Sequence, residues 1–105
     1  MDLVSVLSKN GVTIRLTTER WEHIIKTHPE VDPKDFSIIL NSVKNPDVIL
    51  KGDVGELLAV KKYGSRTWVV VPYKEIDKDD GFILTAYQTT DSRWLFRREI
   101  IWSKE

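Results

Sequence analysis

The sequence predicts an α+β domain in which two short helices near the N-terminus pack on an antiparallel sheet of four to five strands. Apolar residues recur at helical spacing in the first half of the chain, and β-branched and aromatic runs separated by short connections fill the second half. Short connections join antiparallel neighbours, because a parallel pair needs a crossover of about a dozen residues or more. A length of 105 residues suits one domain, so 1–105 is expected to form a single unit.

Residues 1–16 are predicted to form an N-terminal extended or hairpin segment. Two apolar stretches, residues 3–7 and 12–16, flank the dipeptide Asn10-Gly11. Asn and Gly tolerate the positive φ angles that a tight turn requires, so a small hairpin is expected at this place.

Two amphipathic helices are predicted between residues 17 and 45. The first begins at Thr17-Thr18-Glu19, where a hydroxyl can cap free amides, and it ends before Pro29. The second begins at Asp32-Pro33, a capping residue followed by proline, and it ends at Asn45-Pro46. Their apolar faces follow the i, i+3, i+4, i+7 spacing: Trp21, Ile24, Ile25 and His28 in the first, Phe36, Ile39, Leu40 and Val43 in the second.

From residue 48 onward the pattern is typical of strands. The predicted strands are residues 48–51, 56–63, 66–73 and 82–90, followed by a last extended segment over residues 94–102. If Gly64-Ser65 forms a two-residue loop, Tyr63 lies opposite Arg66, and Lys61 shares their face.

Composition excludes several kinds of active site. The chain has no cysteine, which excludes disulfides, thiolate catalysis and cysteine-based metal centres. His23 and His28 are five residues apart, which places them about 140° apart around a helix, so they do not form the i, i+4 pair of a zinc protease. No metal and no cofactor are therefore expected.

Charge and hydropathy indicate the expected partners and cellular location of the protein. The 16 Lys and Arg residues balance the 16 Asp and Glu residues, which argues against bulk attraction to nucleic acid but is compatible with a local basic groove. No run approaches the roughly 18 apolar residues of a membrane span, and the N-terminus does not resemble a secretory signal. A cytoplasmic protein with no membrane partner is expected.

The two histidines are candidates for acid–base chemistry, because only imidazole titrates near neutral pH without help. His28 lies in the middle of the apolar stripe and is expected to face the sheet, whereas His23 projects to the opposite side. An alternative stays open, in which His28 caps the helix from inside the fold and His23 is an ordinary surface residue.

Hydroxyl and basic groups form the second set of candidates. Alternation along residues 82–90 places Thr85, Tyr87 and Thr89 on one face, where hydroxyls can bond a phosphate and a Tyr ring can stack on a base. The same residue types are also simply good strand formers. Positive charge is concentrated at Lys61 and Arg66, near one hairpin turn, and at Arg97 and Arg98, in the final segment, although most exposed Lys and Arg side chains are merely solvated.

Arg98 interrupts the apolar face that Trp94, Phe96, Ile100 and Trp102 would share in an extended segment. An arginine that points toward a buried face needs an anionic partner. That partner is expected to be either a protein carboxylate or a bound phosphate.

Two sequence motifs resemble those of phage-associated nucleases of the barnase–EndoU–colicin–RelE (BECR) superfold. The first is Arg20-Trp21-Glu22-His23-Ile24-Ile25 followed by Thr27-His28-Pro29-Glu30, and the second is Ile83-Leu84-Thr85-Ala86-Tyr87. The resemblance covers roughly residues 12–102. It implies a metal-independent endoribonuclease, a toxin or phage effector, in which the ribose 2′-hydroxyl attacks the adjacent phosphate.

The resemblance also implies roles for residues. His23 and His28 would be the acid and base in an order not assigned, and Thr85 and Tyr87 would position the phosphate. The basic residues expected to hold the phosphate of the substrate are Lys61, Arg66, Arg97 and Arg98. Since histidines 140° apart on one helix cannot both touch one phosphate, one of them can be structural, with a strand residue taking its role. The expected partners are RNA and an immunity or antitoxin protein. The alternatives are a non-catalytic nucleic-acid-binding module and a protein-interaction domain that uses the aromatic face of residues 94–102.

Overall fold

The computed structural model describes residues 1–104, which contain three α-helices and eight strands. The helices are α1 (Thr18–Thr27), α2 (Phe36–Lys44) and α3 (Ser92–Leu95), and a 3-10 turn at Pro33–Asp35 precedes α2. The strands are β1 (Asp2–Leu7), β2 (Thr13–Thr17), β3 (Val48–Lys51), β4 (Leu57–Tyr63), β5 (Thr67–Glu75), β6 (Gly81–Ile83), β7 (Tyr87–Thr89) and β8 (Ile100–Ser103).

All eight strands belong to one sheet, in the order β1-β2-β6-β5-β4-β3-β8, with β7 also paired to β5. The predicted α+β class is confirmed, but the sheet is larger than the four to five strands expected. It is also mixed, because β2 runs parallel to β6. The two are joined through both long helices and three strands, so this pair has the long crossover that a parallel pairing requires.

The N-terminal elements form where their local signals lie. The side chain of Thr17 accepts a hydrogen bond from the Arg20 N–H at 3.1 Å and caps α1. Asp32 accepts one from the Lys34 N–H at 2.9 Å and caps the 3-10 turn. Strands β1 and β2 form the expected antiparallel hairpin around Gly11, whose φ of 76° is in the left-handed region.

Apolar residues cover both faces of the sheet. The first apolar cluster joins the sheet to α1 and α2, and its buried members are Val12, Ile14, Leu16, Ile24, Val31, Ile39, Val43, Ala59, Val69, Val71, Tyr73, Ile83 and Ala86. The second apolar cluster lies on the other face and contains Val48, Leu50, Leu58, Val60, Val70 and Leu95, with Trp68 and Tyr87 packed against it. Val70 alternates with Val69 and Val71, which is why one strand serves both clusters.

The predicted strand over residues 82–90 is broken into two. β6 pairs with Tyr73–Glu75 of β5 and β7 pairs with Trp68–Val70, while residues 84–86 leave the ladder. Pro72 lies opposite this gap, and its carbonyl accepts a hydrogen bond from the Leu84 N–H at 2.9 Å. Since proline has no N–H to return, the ladder on this side of β5 is interrupted there.

Two further expectations about the second half are corrected. Residues 94–102 do not form one extended segment, because Asp91 caps the Trp94 N–H at 3.0 Å and starts the helix α3 before β8 begins. The β4–β5 loop has three residues rather than two, since Tyr63 pairs with Thr67 and Arg66 lies in the turn.

The β1–β2 turn contacts β8, although β1 and β8 are at opposite ends of the strand order, so the sheet is strongly curved. The Nζ atom of Lys9, between β1 and β2, lies 5.2 Å from the ring centroid of Trp102 on β8. Within residues 1–104, no helix has the length and apolar character needed to cross a membrane.

Candidate functional site

His28 lies where α1 ends. Its backbone N–H donates to the Ile24 carbonyl at 2.8 Å, and Pro29 prevents the helix from continuing. The side chain is 30% exposed, so the ring is neither sealed in the core nor free in solvent. Its centroid lies 5.9 Å from that of the Tyr87 ring, with 33° between the ring planes. His28, from the N-terminal half of the chain, thus lies beside Tyr87, a polar strand residue from the C-terminal half.

Glu30 connects this histidine to β7. Its Oε2 atom lies 3.4 Å from Nδ1 of His28 and also accepts a hydrogen bond from the Gln88 N–H at 3.4 Å. A carboxylate on one ring nitrogen fixes the orientation of an imidazole and leaves the other nitrogen for a substrate. Glu30 also lines a hollow of about 390 Å³ together with Thr67, Gln88, Thr89 and Thr90.

The Tyr87 side chain packs against the second apolar cluster. Burial raises the pKa of its phenol above the ordinary value, the charge of Arg98 opposes this rise, and the charge of Glu56 adds to it. The phenol therefore keeps its proton at neutral pH. It can donate a hydrogen bond or a proton to an anion.

Arg98 forms the third part of the site. Its Nη1 and Nη2 atoms donate to the two carboxylate oxygens of Asp53 at 2.9 and 3.1 Å. The guanidinium carbon lies 5.1 Å from the ring centroid of Trp94. Its Nε atom is buried without a hydrogen-bond partner among residues 1–104. The hydrogen bond and charge of Asp53 raise the pKa of Arg98, and Arg98 lowers that of Asp53.

A hollow of about 480 Å³, which we call the arginine hollow, surrounds this pair. It is lined by Lys51, Gly52, Asp53, Trp94, Arg97, Arg98 and Glu99. Three cations face two carboxylates, so the lining is net positive although the whole chain is neutral. The sequence-predicted phosphate-binding residues Arg97 and Arg98 are both in it.

Gly52 at the rim of the arginine hollow allows a close approach. A Cβ atom at this position would overlap the side-chain carboxylate of Glu56. The absence of that atom lets Glu56 fold back, where its Oε1 accepts a hydrogen bond from the Val54 N–H at 2.9 Å. The carboxylate that acts on both Tyr87 and Arg98 is thereby held in place.

The other predicted site residues lie elsewhere. His23 is exposed on α1, its Nε2 is 3.4 Å from Thr27 Oγ1, and it lines a separate hollow of about 240 Å³ with Thr17, Glu19 and Arg20. Thr85 is half-buried in the segment between β6 and β7. The structure places His28 beside Tyr87 and brings Arg98 close enough for its charge to act on the Tyr87 phenol, whereas His23 has neither contact.

Two of the predicted phosphate ligands have different surroundings. The Nζ atom of Lys61 donates to the Asn45 carbonyl at 2.8 Å and lies 3.8 Å from Asp47, which ties β4 to the end of α2. Arg66 is exposed in the β4–β5 turn. Neither lines the arginine hollow.

Residues that the sequence did not single out complete the site. Glu30 follows His28 by two positions, a spacing that could have suggested an orienting carboxylate. Asp53 and Glu56 carried no signal, because their proximity to Arg98 and Tyr87 depends on the packing of the β3–β4 turn against the segment after α3. No cluster of three or more metal-ligating side chains occurs in the described part of the chain.

No family model matches this chain, and neither a curated protein nor a solved structure matches it significantly.

Proposed function

We propose that this protein is a metal-independent endoribonuclease of the BECR type, with its active site at His28, Tyr87 and Arg98. The single observation that carries the proposal is the 5.9 Å separation between the ring centroids of His28 and Tyr87, both only partly exposed. The charge of Arg98, from the net positive arginine hollow, acts on the same Tyr87 phenol. RNA cleavage needs a base, an acid and groups that stabilise a crowded phosphate, and these three functions have candidates in this region.

The proposed reaction is an internal transfer. The 2′-oxygen of a ribose forms a bond to the adjacent phosphorus while the bond from phosphorus to the 5′-oxygen breaks. His28 takes the 2′-hydroxyl proton, and Tyr87, which burial keeps protonated, donates toward the departing 5′-oxygen. The products are a 2′,3′-cyclic phosphate end and a 5′-hydroxyl end.

Arg98 would stabilise the negative charge that develops on the phosphate. Its partner Asp53 has a side chain that is 79% exposed, so the carboxylate is poorly shielded from exchange with another anion. A phosphate offers the same pair of oxygens to the guanidinium as a carboxylate does. Asp53 thus occupies the position in which a substrate phosphate would bind.

The test compares the two histidines in purified protein incubated with mixed RNA in EDTA. The unmodified chain is expected to release 2′,3′-cyclic phosphate ends, detected by mass spectrometry of the fragments. His28→Ala is expected to lower the rate by about 10²–10⁴-fold, the usual value of acid–base catalysis. His23→Ala is the matched control, because His23 lies on the same helix but outside the site, and it should stay within about twofold.

Two results would count against an enzyme. Intact RNA under these conditions is one, and cleavage that persists unchanged in His28→Ala is the other.

We place the activity in the cytoplasm, where an antitoxin or immunity protein would restrain it.

A second candidate function is RNA binding without cleavage. The observation that favours it is the existing pair between Arg98 and Asp53, in which Asp53 already neutralises the cation that acts on Tyr87. A pure binding module would show salt-sensitive association with RNA, no new ends, and the same affinity in His28→Ala.

A further inference from the structure

We propose that the arginine hollow is a subsite for one nucleotide of single-stranded RNA, with its base stacked on Trp94 and its phosphate held by Arg97 and Lys51. The inference rests on the proposed function and deepens it, since it names single-stranded RNA as the substrate class. It assigns binding roles to Trp94 and Lys51, which lie outside the reacting centre.

Trp94 has the features of a stacking platform. Trp94 is 42% exposed, although large apolar residues are usually buried. It is nevertheless fixed, because Asp91 caps its backbone N–H at 3.0 Å and Leu95, the next residue, is fully buried in the second apolar cluster. Arg98 lies over the ring, so a base on Trp94 would extend an existing stack.

The charges around Trp94 suit a phosphate backbone. Lys51, Arg97 and Arg98 line the hollow with Trp94, whereas Asp53 and Glu99 are its acids. Arg97 is exposed, and Arg98 becomes available when a phosphate displaces Asp53. A positive groove combined with aromatic rings is the pattern by which proteins bind single strands without sequence preference.

The size and charge of the hollow favour a nucleotide over a protein surface. Its volume of about 480 Å³ falls within the usual range for small-ligand sites. The core of a protein–protein contact is depleted in charged residues, but five of the seven lining residues are charged. In a duplex the bases are stacked on one another, so only an unpaired base can lie on Trp94.

Arg98 and α3 link the hollow to the proposed reacting centre. Arg98 lines the hollow and acts electrostatically on the Tyr87 phenol, while Leu95 of α3 and Tyr87 share the second apolar cluster. A nucleotide on Trp94 would therefore neighbour the phosphate at His28 and Tyr87.

The test uses a probe that cannot be cleaved. An oligodeoxythymidine of about eight nucleotides lacks the attacking 2′-hydroxyl, and its length is within the range of known single-strand sites. Fluorescence anisotropy would measure its binding, and binding of a duplex of the same length, at several salt concentrations. The variants are Trp94→Leu and Arg97→Gln, with Trp102→Leu and Lys78→Gln as controls outside the hollow.

The expected results differ between the variants. Trp94→Leu should weaken binding of the single strand by about 10-fold, within the range for loss of one stacked base. Arg97→Gln should lower the slope of log affinity against log salt by about 0.7, the value for one phosphate contact in a single strand. Both controls should bind as the unmodified chain does, and the duplex should bind more weakly than the single strand.

The outcomes separate this inference from the proposed function. Unchanged affinity in both Trp94→Leu and Arg97→Gln, absent binding by the unmodified chain, or equal binding of duplex would overturn the subsite, even if RNA is cleaved. Binding that depends on Trp94 without any cleavage of RNA would overturn the nuclease and leave the subsite in place. Since both altered side chains reach solvent, circular dichroism should show the unmodified fold.

Discussion

The imidazole of His28 and the carboxylate of Glu30 face each other across 3.4 Å, from Nδ1 to Oε2, at the end of α1. Both side chains are partly exposed, at 30% and 40%. Glu30 also accepts the Gln88 N–H, so the same carboxylate holds the histidine and the strand that carries Tyr87.

Glu30→Gln tests whether this carboxylate orients His28. Exposed ion pairs contribute about 0.2–1 kcal/mol, so the expected loss in kcat/KM is at most about fivefold. The loss should shrink at high salt, because salt screens the exposed pair. Glu22→Gln, on the exposed face of the same helix, is the control. A loss as large as that of His28→Ala would instead mean that Glu30 reacts directly.

Tyr87→Phe tests the proposed acid. The ring and its packing remain, so the free energy of unfolding should change by about 1 kcal/mol or less, while kcat falls by about 10²-fold or more. Burial, with the charge of Glu56, raises the pKa of Tyr87 despite the opposing charge of Arg98. The phenol should therefore stay protonated, and activity should not decline from its ionisation up to about pH 10. A rate profile that falls with a midpoint well below pH 10 in the unmodified chain alone would contradict this role.

Asp47→Asn tests a charge that holds β3 and β4 together. Burial of Asp47 disfavours its ionisation, but hydrogen bonds from Lys104 and the Lys62 N–H and the charge of Lys61 outweigh this and lower its pKa. A lowered pKa stabilises the fold above the unfolded value near 3.9, and this contribution is lost as the pH falls through the folded pKa.

The variant should therefore be less stable by about 1.5–3 kcal/mol at pH 7, the usual range for hydrogen bonds to a charged group. The difference should shrink as the pH falls below about 4 and be lost as the pH falls through the lowered folded pKa of Asp47. Urea unfolding at several pH values measures it. A difference that is independent of pH would show that shape rather than charge is responsible.

Gly52→Ala tests the close approach of Glu56. The added Cβ would force the Glu56 carboxylate outward and break its hydrogen bond to Val54, at a cost of about 1 kcal/mol. The double variant with Glu56→Ala should be no less stable than Glu56→Ala alone, because the clash is then absent. Additive losses in thermal unfolding would argue that the alanine disturbs the backbone instead.

Local signals predicted the first half of the fold well. The Asn10-Gly11 turn, the Thr17 cap and the stop at Pro29 act through neighbouring residues, so they can be read from the sequence alone. The break between Ile83 and Tyr87 could not, because it arises opposite Pro72 on another strand. The same holds for the parallel pairing of β2 with β6, which depends on how distant segments meet.

In the candidate site, too, the features set by neighbouring residues could be predicted from the sequence, and those set by distant packing could not. His28 was expected to face the sheet, and its ring centroid lies 5.9 Å from that of Tyr87 on β7, although His28 is not part of the first apolar cluster that contains Ile24. The helix α3 was missed, since a helix of four residues depends on the burial of Leu95 rather than on a periodic pattern. Without α3, the position of Arg98 over the Trp94 ring could not be derived.

The contact between Lys9 and Trp102 has a consequence for biosynthesis. Nearly the whole chain lies between these residues, and β8, which carries Trp102, pairs with β3 only after every other element has been translated. Folding that depends on such distant pairings is slow, and it proceeds only once the late segments have left the ribosome. The arginine hollow includes Trp94 and Arg97 from this late part of the chain. The hollow can therefore assemble only after these residues have been synthesised and β8 has paired with β3.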